Sequence, residues 1–155
     1  MEVHIVTPEY FAGFFDGEGS VLIYQRRRGA RGRFQPYNLR ATVTNTNREV
    51  LVVFKNAFGG GVYRHHCSSA PNRSPAWVWT VSCQKAAVFL RCIEPSLIVK
   101  KQEAMIGIAM QDAIDNFGGR YQRRQLTADE IAKRDGFRVS LLALRRPAGT
   151  RRDNA

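Results

Sequence analysis

The sequence predicts an α+β domain built on one four-stranded antiparallel sheet, and three observations lead there. Two segments, 20–28 and 37–43, alternate apolar and polar residues with the period of two that a half-buried strand requires. Two further short ones, 62–66 and 76–82, follow the same rule on either side of a Ser/Pro/Asn-rich loop at 68–75. Around them run stretches with apolar residues three and four apart, so the order reads helix, two strands, helix, two strands, helices.

Each element has a local cause. The first helix opens with Thr7 as N-cap, Pro8 where a proline costs no hydrogen bond, and Glu9 facing the positive end of the dipole. Phe11, Phe14 and Phe15 form its apolar face, and Gly17 and Gly19 are expected to end it. In the strands Val21, Ile23, Tyr37, Leu39, Ala41 and Val43 point one way, with Trp77, Trp79 and Val81 also inward. A helix over 47–58 carries Val50, Leu51, Phe54 and Phe58 and stops at Gly59-Gly60-Gly61. Further helices are predicted at 84–93, at 96–112 after Pro95, and at 127–145, the last opened by Thr127, Asp129 and Glu130. Residues 1–146 read as a single domain with a C-terminal helical extension, and 147–155 as a flexible basic tail.

Charge narrows the function classes. The 155 residues carry 24 Lys+Arg against 13 Asp+Glu, a formal net charge of +11. Arginines outnumber lysines 19 to 5, and the planar guanidinium binds phosphates and guanine edges bidentately. A polyanion is the expected partner, nucleic acid ahead of a membrane surface or an acidic protein. No window approaches the ~18 apolar residues of a spanning helix, and the start lacks the basic and apolar regions of a secretory leader. Three cysteines, an odd number, fit a reducing compartment. The expected location is cytoplasm or nucleoid, or an organellar matrix, with no membrane partner.

The strands direct that charge. With helices covering the apolar face, the opposite face carries Leu22, Tyr24, Arg26 and Arg28 from the first strand and Asn38, Arg40 and Thr42 from the second. Arg64, His66, Val78 and Thr80 follow from the other pair by alternation. A basic, aromatic-containing open sheet is a platform for nucleic acid. The competing reading is that edge strands carry cations merely to resist aggregation.

The stretch Phe11-Ala12-Gly13-Phe14-Phe15-Asp16-Gly17-Glu18-Gly19 carries the most information. Gly13 and Gly17, four apart, form a stripe without Cβ atoms that allows another helix to approach to backbone contact. The stripe lies off the phenylalanine face, which points to a helix of a second chain, with Gly13, Asp16 and Gly17 at the contact. Asp16 and Glu18 stand at the negative end of the helix dipole, an unfavourable place that a divalent cation such as Mg²⁺ would relieve. The alternative is an acidic turn that simply solvates its charge.

These nine residues resemble the signature of the LAGLIDADG homing endonucleases: Ala12, Gly13, Asp16 and Gly19 are identical to it, and Glu18 stands for its second Asp. The element order is similar to the family's αββαββα core over roughly residues 8–112. A single copy of the motif implies a homodimer. The resemblance implies a saddle of two sheets straddling double-stranded DNA at a long, nearly palindromic site, cut to a staggered double-strand break. It implies Glu18 as metal-binding acid with the Gly17 carbonyl as a further ligand, Mg²⁺ as cofactor, and Mn²⁺ or Ca²⁺ able to occupy the same site. Pro95-Ser-Leu-Ile-Val-Lys100-Lys101-Gln102 resembles the stretch that holds the family's basic residue, which falls on Lys100. Asn45 matches a polar position that orders active-site water, and Arg48 is a second candidate nearby. The alternative within the same fold is a non-cleaving RNA maturase of a host intron, or a DNA-binding regulator. A zinc site from His65, His66, Cys67, Cys83 and Cys92 is not expected, because the ligand spacings are absent.

Overall fold

The polypeptide passes from its first helix into its first strand without a connecting residue. In the computed structural model, which describes residues 6–25, 37–65, 75–117 and 126–145, helix α1 spans Pro8–Glu18 and strand β1 spans Gly19–Tyr24. Proline occupies the start of α1, and the Thr7 carbonyl accepts the Tyr10 and Phe11 amides at 3.1 and 3.4 Å. The helix runs one residue past Gly17 and ends at Gly19, whose amide donates to the Phe15 carbonyl. A Cβ on Gly19 would overlap the Phe15 ring, so glycine is required there for packing.

Strand β2 (Asn38–Asn45) pairs antiparallel with β1 from Gly19↔Val43 to Tyr24↔Asn38. Helix α2 (Arg48–Phe58) follows, capped by the Asn47 side chain accepting from the Glu49 amide at 2.9 Å. Strands β3 (Gly61–His65) and β4 (Ala76–Ser82) complete a sheet of order β1-β2-β4-β3, and α3 (Cys83–Ile93) leaves it directly. Arg26, Arg28, His66 and the tail lie outside the described residues.

The two sheet faces are unlike. Val21, Ile23, Leu39, Ala41, Val43, Trp79 and Val81 are buried on the face that the helices cover, as the alternation predicts. Phe54, Trp79 and Phe89 are in mutual contact, with Phe54–Trp79 and Trp79–Phe89 ring centroids 5.2 and 5.0 Å apart. Phe11 and Phe15 of α1 join this cluster through Phe54 and Phe89 at 4.8 and 5.2 Å. Edge-to-face aromatic packing adds to the area buried, and it fixes α1 against the sheet.

Three expectations need correction. Arg64 pairs with Trp77 and Tyr63 with Val78. Directly opposed residues share a face, so Arg64 projects on the helix side and Tyr63 on the open side. The phase follows from the turn: Gly59 and Gly60 adopt φ of 73° and 81°, and Trp79 Nε1 donates to the Gly59 carbonyl at 2.8 Å, so β3 starts at Gly61. A slip of one residue in a strand exchanges its faces. The helix expected from 96 starts later: Glu94–Ser96 form a 3-10 turn, and α4 spans Lys101–Asn116. Gly17, expected to help end α1, lies inside it.

The C-terminal helix α5 (Ala128–Arg145) packs against α4 and β1. Tyr37 donates its hydroxyl to Asp135 at 2.9 Å, and Arg145 donates to the Val21 carbonyl and pairs with Glu103 at 3.1 Å. Leu141 and the Glu130–Arg134 ion pair (3.0 Å) are buried in the contact.

The turn before β3 gives a test. Gly60→Ala puts a Cβ against the Thr80 carbonyl at a positive φ, so stability should fall by about 2–3 kcal/mol, read as a lower urea midpoint. An unchanged midpoint would contradict the account of β3 phase.

Candidate functional site

The last turn of α1 concentrates negative charge. Its final carbonyls lack intrahelical donors, and no basic residue lies in that turn. Asp16 would deepen the problem, but its carboxylate turns into its own chain. Oδ2 accepts the Ile98 and Val99 amides at 2.8 and 3.2 Å, and Oδ1 accepts the Lys100 amide at 2.9 Å. Lys100 Nζ donates to the main-chain carbonyl of Asp16. An ammonium thus sits on the carbonyl end of α1, where the dipole favours a cation.

The expectation that a metal relieves both acids is therefore corrected for Asp16, whose charge is met by three amides and a lysine. Partial burial pushes the Asp16 carboxyl up, but the amides of Ile98, Lys100 and Val99 and the Lys100 charge outweigh it and hold its pKa below the ordinary carboxylate value. The same contacts explain why α4 begins at 101. Residues 98–100 turn their amides to Asp16, and only then does the chain enter the helix.

Glu18 differs. It is exposed at the end of α1 and has no hydrogen-bond or ion-pair partner among the described residues. Gly13 and Gly17 are exposed too, and a Cβ at either would meet nothing within 4 Å. The domain's own core leaves the glycine stripe uncovered, as predicted. Ile98 and Val99, in the loop that Asp16 holds, are 87% and 74% exposed.

Asn45 lies two residues beyond Val43, which pairs with Gly19, so the end of β2 lies beside the end of α1. Its Oδ1 accepts the Asn47 amide at 2.8 Å, a turn that leads into α2 and leaves the side-chain NH₂ to donate. Arg48 stacks on Trp77, its guanidinium carbon 5.2 Å from the ring centroid.

Among the described residues no group of three or more His, Cys, Asp or Glu could hold a metal ion. A hard divalent ion does not need one when waters and substrate phosphates supply ligands. The Glu18 carboxylate and the Gly17 carbonyl are oxygen donors of the right kind at one end of a helix, and they fit as part of such a set.

On the open sheet face the structure brings together Leu22, Tyr24, Arg40, Thr42, Val78 and Thr80, and adds Tyr63. Arg40, Thr42, Val78 and Thr80 line a groove with Tyr63 and Lys85, two residues the alternation argument did not select. Tyr63 was missed through the β3 phase, for which the paired glycines before it were the available signal. Asn38 belongs to this face by pairing with Tyr24, but it is only 7% exposed and its Oδ1 accepts from the Cys83 thiol at 3.7 Å. It is corrected from a reading residue to a packing one.

The arrangement of these elements is that of the LAGLIDADG homing endonucleases. No protein-family model matches the sequence, and no curated protein matches it. Among solved structures the chain is similar to the homing endonuclease I-CvuI in complex with its target in the presence of 2 mM Ca, at TM-score 0.67 and 16% identity over 94% of this chain and 84% of that one. It is similar to the archaeal intron-encoded homing endonuclease I-Vdi141I complexed with DNA, at 0.64 and 24% over 94% and 87%. It is also similar to the LAGLIDADG homing endonuclease I-GzeII in complex with its DNA target, at 0.65 and 18%, where 94% of this chain covers 47% of that one.

The Asp16 contacts carry a pH signature. A carboxylate whose folded pKa is depressed stabilises above its unfolded value of about 3.9, and that stability is lost as pH falls through the folded value. Asp16→Ala should cost about 1–2 kcal/mol at pH 7, and the gap from wild type should narrow as pH is taken below the unfolded value of about 3.9. Urea melts at pH 7 and below that value check this; a constant gap would contradict it.

Proposed function

We propose that the chain is a site-specific DNA endonuclease of the homing type. It acts as a homodimer and makes a divalent-metal-dependent, staggered double-strand break in a long, nearly palindromic site. The observation that carries this reading is the end of α1: an exposed Glu18 carboxylate, unpartnered among the described residues, two positions beyond the Asp16 carbonyl that Lys100 holds, at the foot of an uncovered glycine stripe. The fold it shares with I-Vdi141I and I-GzeII, each bound to DNA, supports the nucleic-acid partner.

Each residue has a role that its geometry permits. Glu18 and the Gly17 carbonyl would hold Mg²⁺, with Mn²⁺ or Ca²⁺ able to take its place. When bound, the ion supplies Lewis acidity at the scissile phosphate and favours deprotonation of the attacking water. Lys100, fixed by its own amide on Asp16 and its ammonium on the Asp16 carbonyl, offers its remaining N–H donors to the charge that builds on the phosphorus oxygens. Asn45 donates through its NH₂ to the attacking water. The net charge of +11 per chain, some of it on the open sheet, draws the DNA backbone in.

Two chains are needed because one presents a single acid and an unfilled stripe. Two α1 helices meeting at Gly13 and Gly17 would bring two Glu18 side chains to the dyad, one for each strand. Two copies together carry +22, which explains how two acidic ends can lie against DNA.

Cleavage tests the chemistry. A duplex selected from a randomised library should be cut with Mg²⁺ by wild type, and Glu18→Gln should lower the rate by at least ~100-fold while binding persists. An undiminished Glu18→Gln would sink the reading, and so would tighter binding to structured intron RNA than to duplex DNA at matched salt. Gly13→Leu tests the dimer: among the described residues nothing lies within 4 Å of a Cβ there, and the helix should gain slightly from losing glycine. The variant should fold yet elute at half the wild-type mass in gel filtration. A wild type that elutes as a monomer would contradict the dimer.

A further inference from the structure

One side chain of the open sheet is held more firmly than a surface cation needs to be. The Arg40 guanidinium lies over the Tyr24 ring, its central carbon 4.4 Å from the centroid. Arg40 makes no ion pair among the described residues, in contrast to Arg91, Arg134, Arg138 and Arg145. Among the described residues its Nε is buried without a hydrogen-bond partner, and so is Thr80 Oγ1 on the same face. An unpaired buried donor is costly in the free protein. The stack on Tyr24 and the buried Nε hold the side chain in one place on the open face.

We propose that Arg40 reads a guanine in the major groove and that Tyr24 is its positioning residue. The inference rests on the proposed function above and assigns a base to one point of its interface. Position favours a base over a phosphate. Arg40 stands on β2, an inner strand of the order β1-β2-β4-β3, among Leu22, Thr42 and Thr80. The centre of a sheet laid in a groove faces base edges, while its rim and loops face the backbone walls. Guanine is the base that presents two acceptors, O6 and N7, to match the arginine fork.

Tyr24 supplies what a free arginine lacks. A guanidinium stacked on a ring loses its torsional freedom before binding, so less entropy is lost when the fork meets the base. Thr80 lines the same groove beside Arg40.

The test is selection of duplexes from a randomised library by the full chain, followed by binding to every single-base variant of the recovered site at one salt concentration. Wild type should prefer guanine at one position per half-site. Arg40→Lys, which keeps the charge and loses the fork, should reduce that preference by roughly 5- to 150-fold and leave the other positions as they were. Tyr24→Leu should reduce it in part, and Tyr24→Phe, which keeps the stacking face, should restore it. If Arg40→Lys weakens binding to all sequences alike, Arg40 grips a phosphate and the proposal is overturned. An unchanged guanine preference in Arg40→Lys overturns it as well. Loss of preference at every position in Tyr24→Leu overturns the positioning role. A wild type that enriches no duplex overturns this proposal together with the endonuclease reading, whereas an enriched site that Arg40→Lys reads unchanged overturns this proposal alone.

Discussion

A carboxylate at the wrong end of a helix is the constraint on which the site depends. Asp16 in the last turn of α1 is repelled by the dipole and by the unpaired carbonyls beside it. Three successive amides, from Ile98, Val99 and Lys100, and the Lys100 ammonium on the Asp16 carbonyl balance it. Helices α1 and α4, more than eighty residues apart in sequence, are thereby joined end to start. The start of α4, the position of Lys100 and the exposure of Ile98 and Val99 all follow from that one junction.

The remaining packing keeps the junction in register with the sheet. Helix α4 approaches closely enough that a Cβ on Gly107 would lie 2.8 Å from Leu39 and 3.1 Å from Val21. A larger residue there would have to displace the Leu39 and Val21 side chains, and the two contacts reach β2 and β1. Helix α5 then holds α4 from outside, through the Arg145–Glu103 ion pair and Arg134 stacked on Phe117 at the end of α4. Asp135 ties the same helix to Tyr37: its carboxyl is lowered first by the Tyr37 hydroxyl and then by Arg138, while burial and that carboxylate raise the Tyr37 phenol. A stacked series of helices therefore transmits the position of the sheet to the end of α1.

Much of this was legible in the sequence, and what was hidden has physical causes. Period-two alternation identified the strands and the faces of β1, β2 and β4, because one buried face leaves its record in every second residue. Gly13 and Gly17 were legible as a stripe because helical spacing is fixed. The β3 face was not, because five residues with little burial contrast do not reveal their phase, and the phase comes from Gly59, Gly60 and a bond to Trp79 twenty residues away. Asn38 looks like a reader because alternation along one strand cannot see Cys83, which reaches it only once β4 pairs with β2. Asp16 was recognised as out of place, but its partners lie over eighty residues along the chain, so the sequence suggested a metal where the fold supplies amides. The helix start at 101 was hidden for the same reason.

The junction of α1 and β1 connects the two halves of the proposed function. Glu18 is the last residue of the helix and Gly19 the first of the strand, so no linker separates the exposed acid from the face carrying Tyr24 and Arg40. A flexible segment there would let the acid move relative to the sequence being read, and the position of a cut would blur. The fold prevents this twice: Gly19 packs directly on the Phe15 ring, and its strand is paired from its first residue to Val43. The distance from the open sheet face to the acid is therefore set by covalent geometry and strand register, both stiff. In an endonuclease working this way, the phosphate attacked is determined by the bases bound.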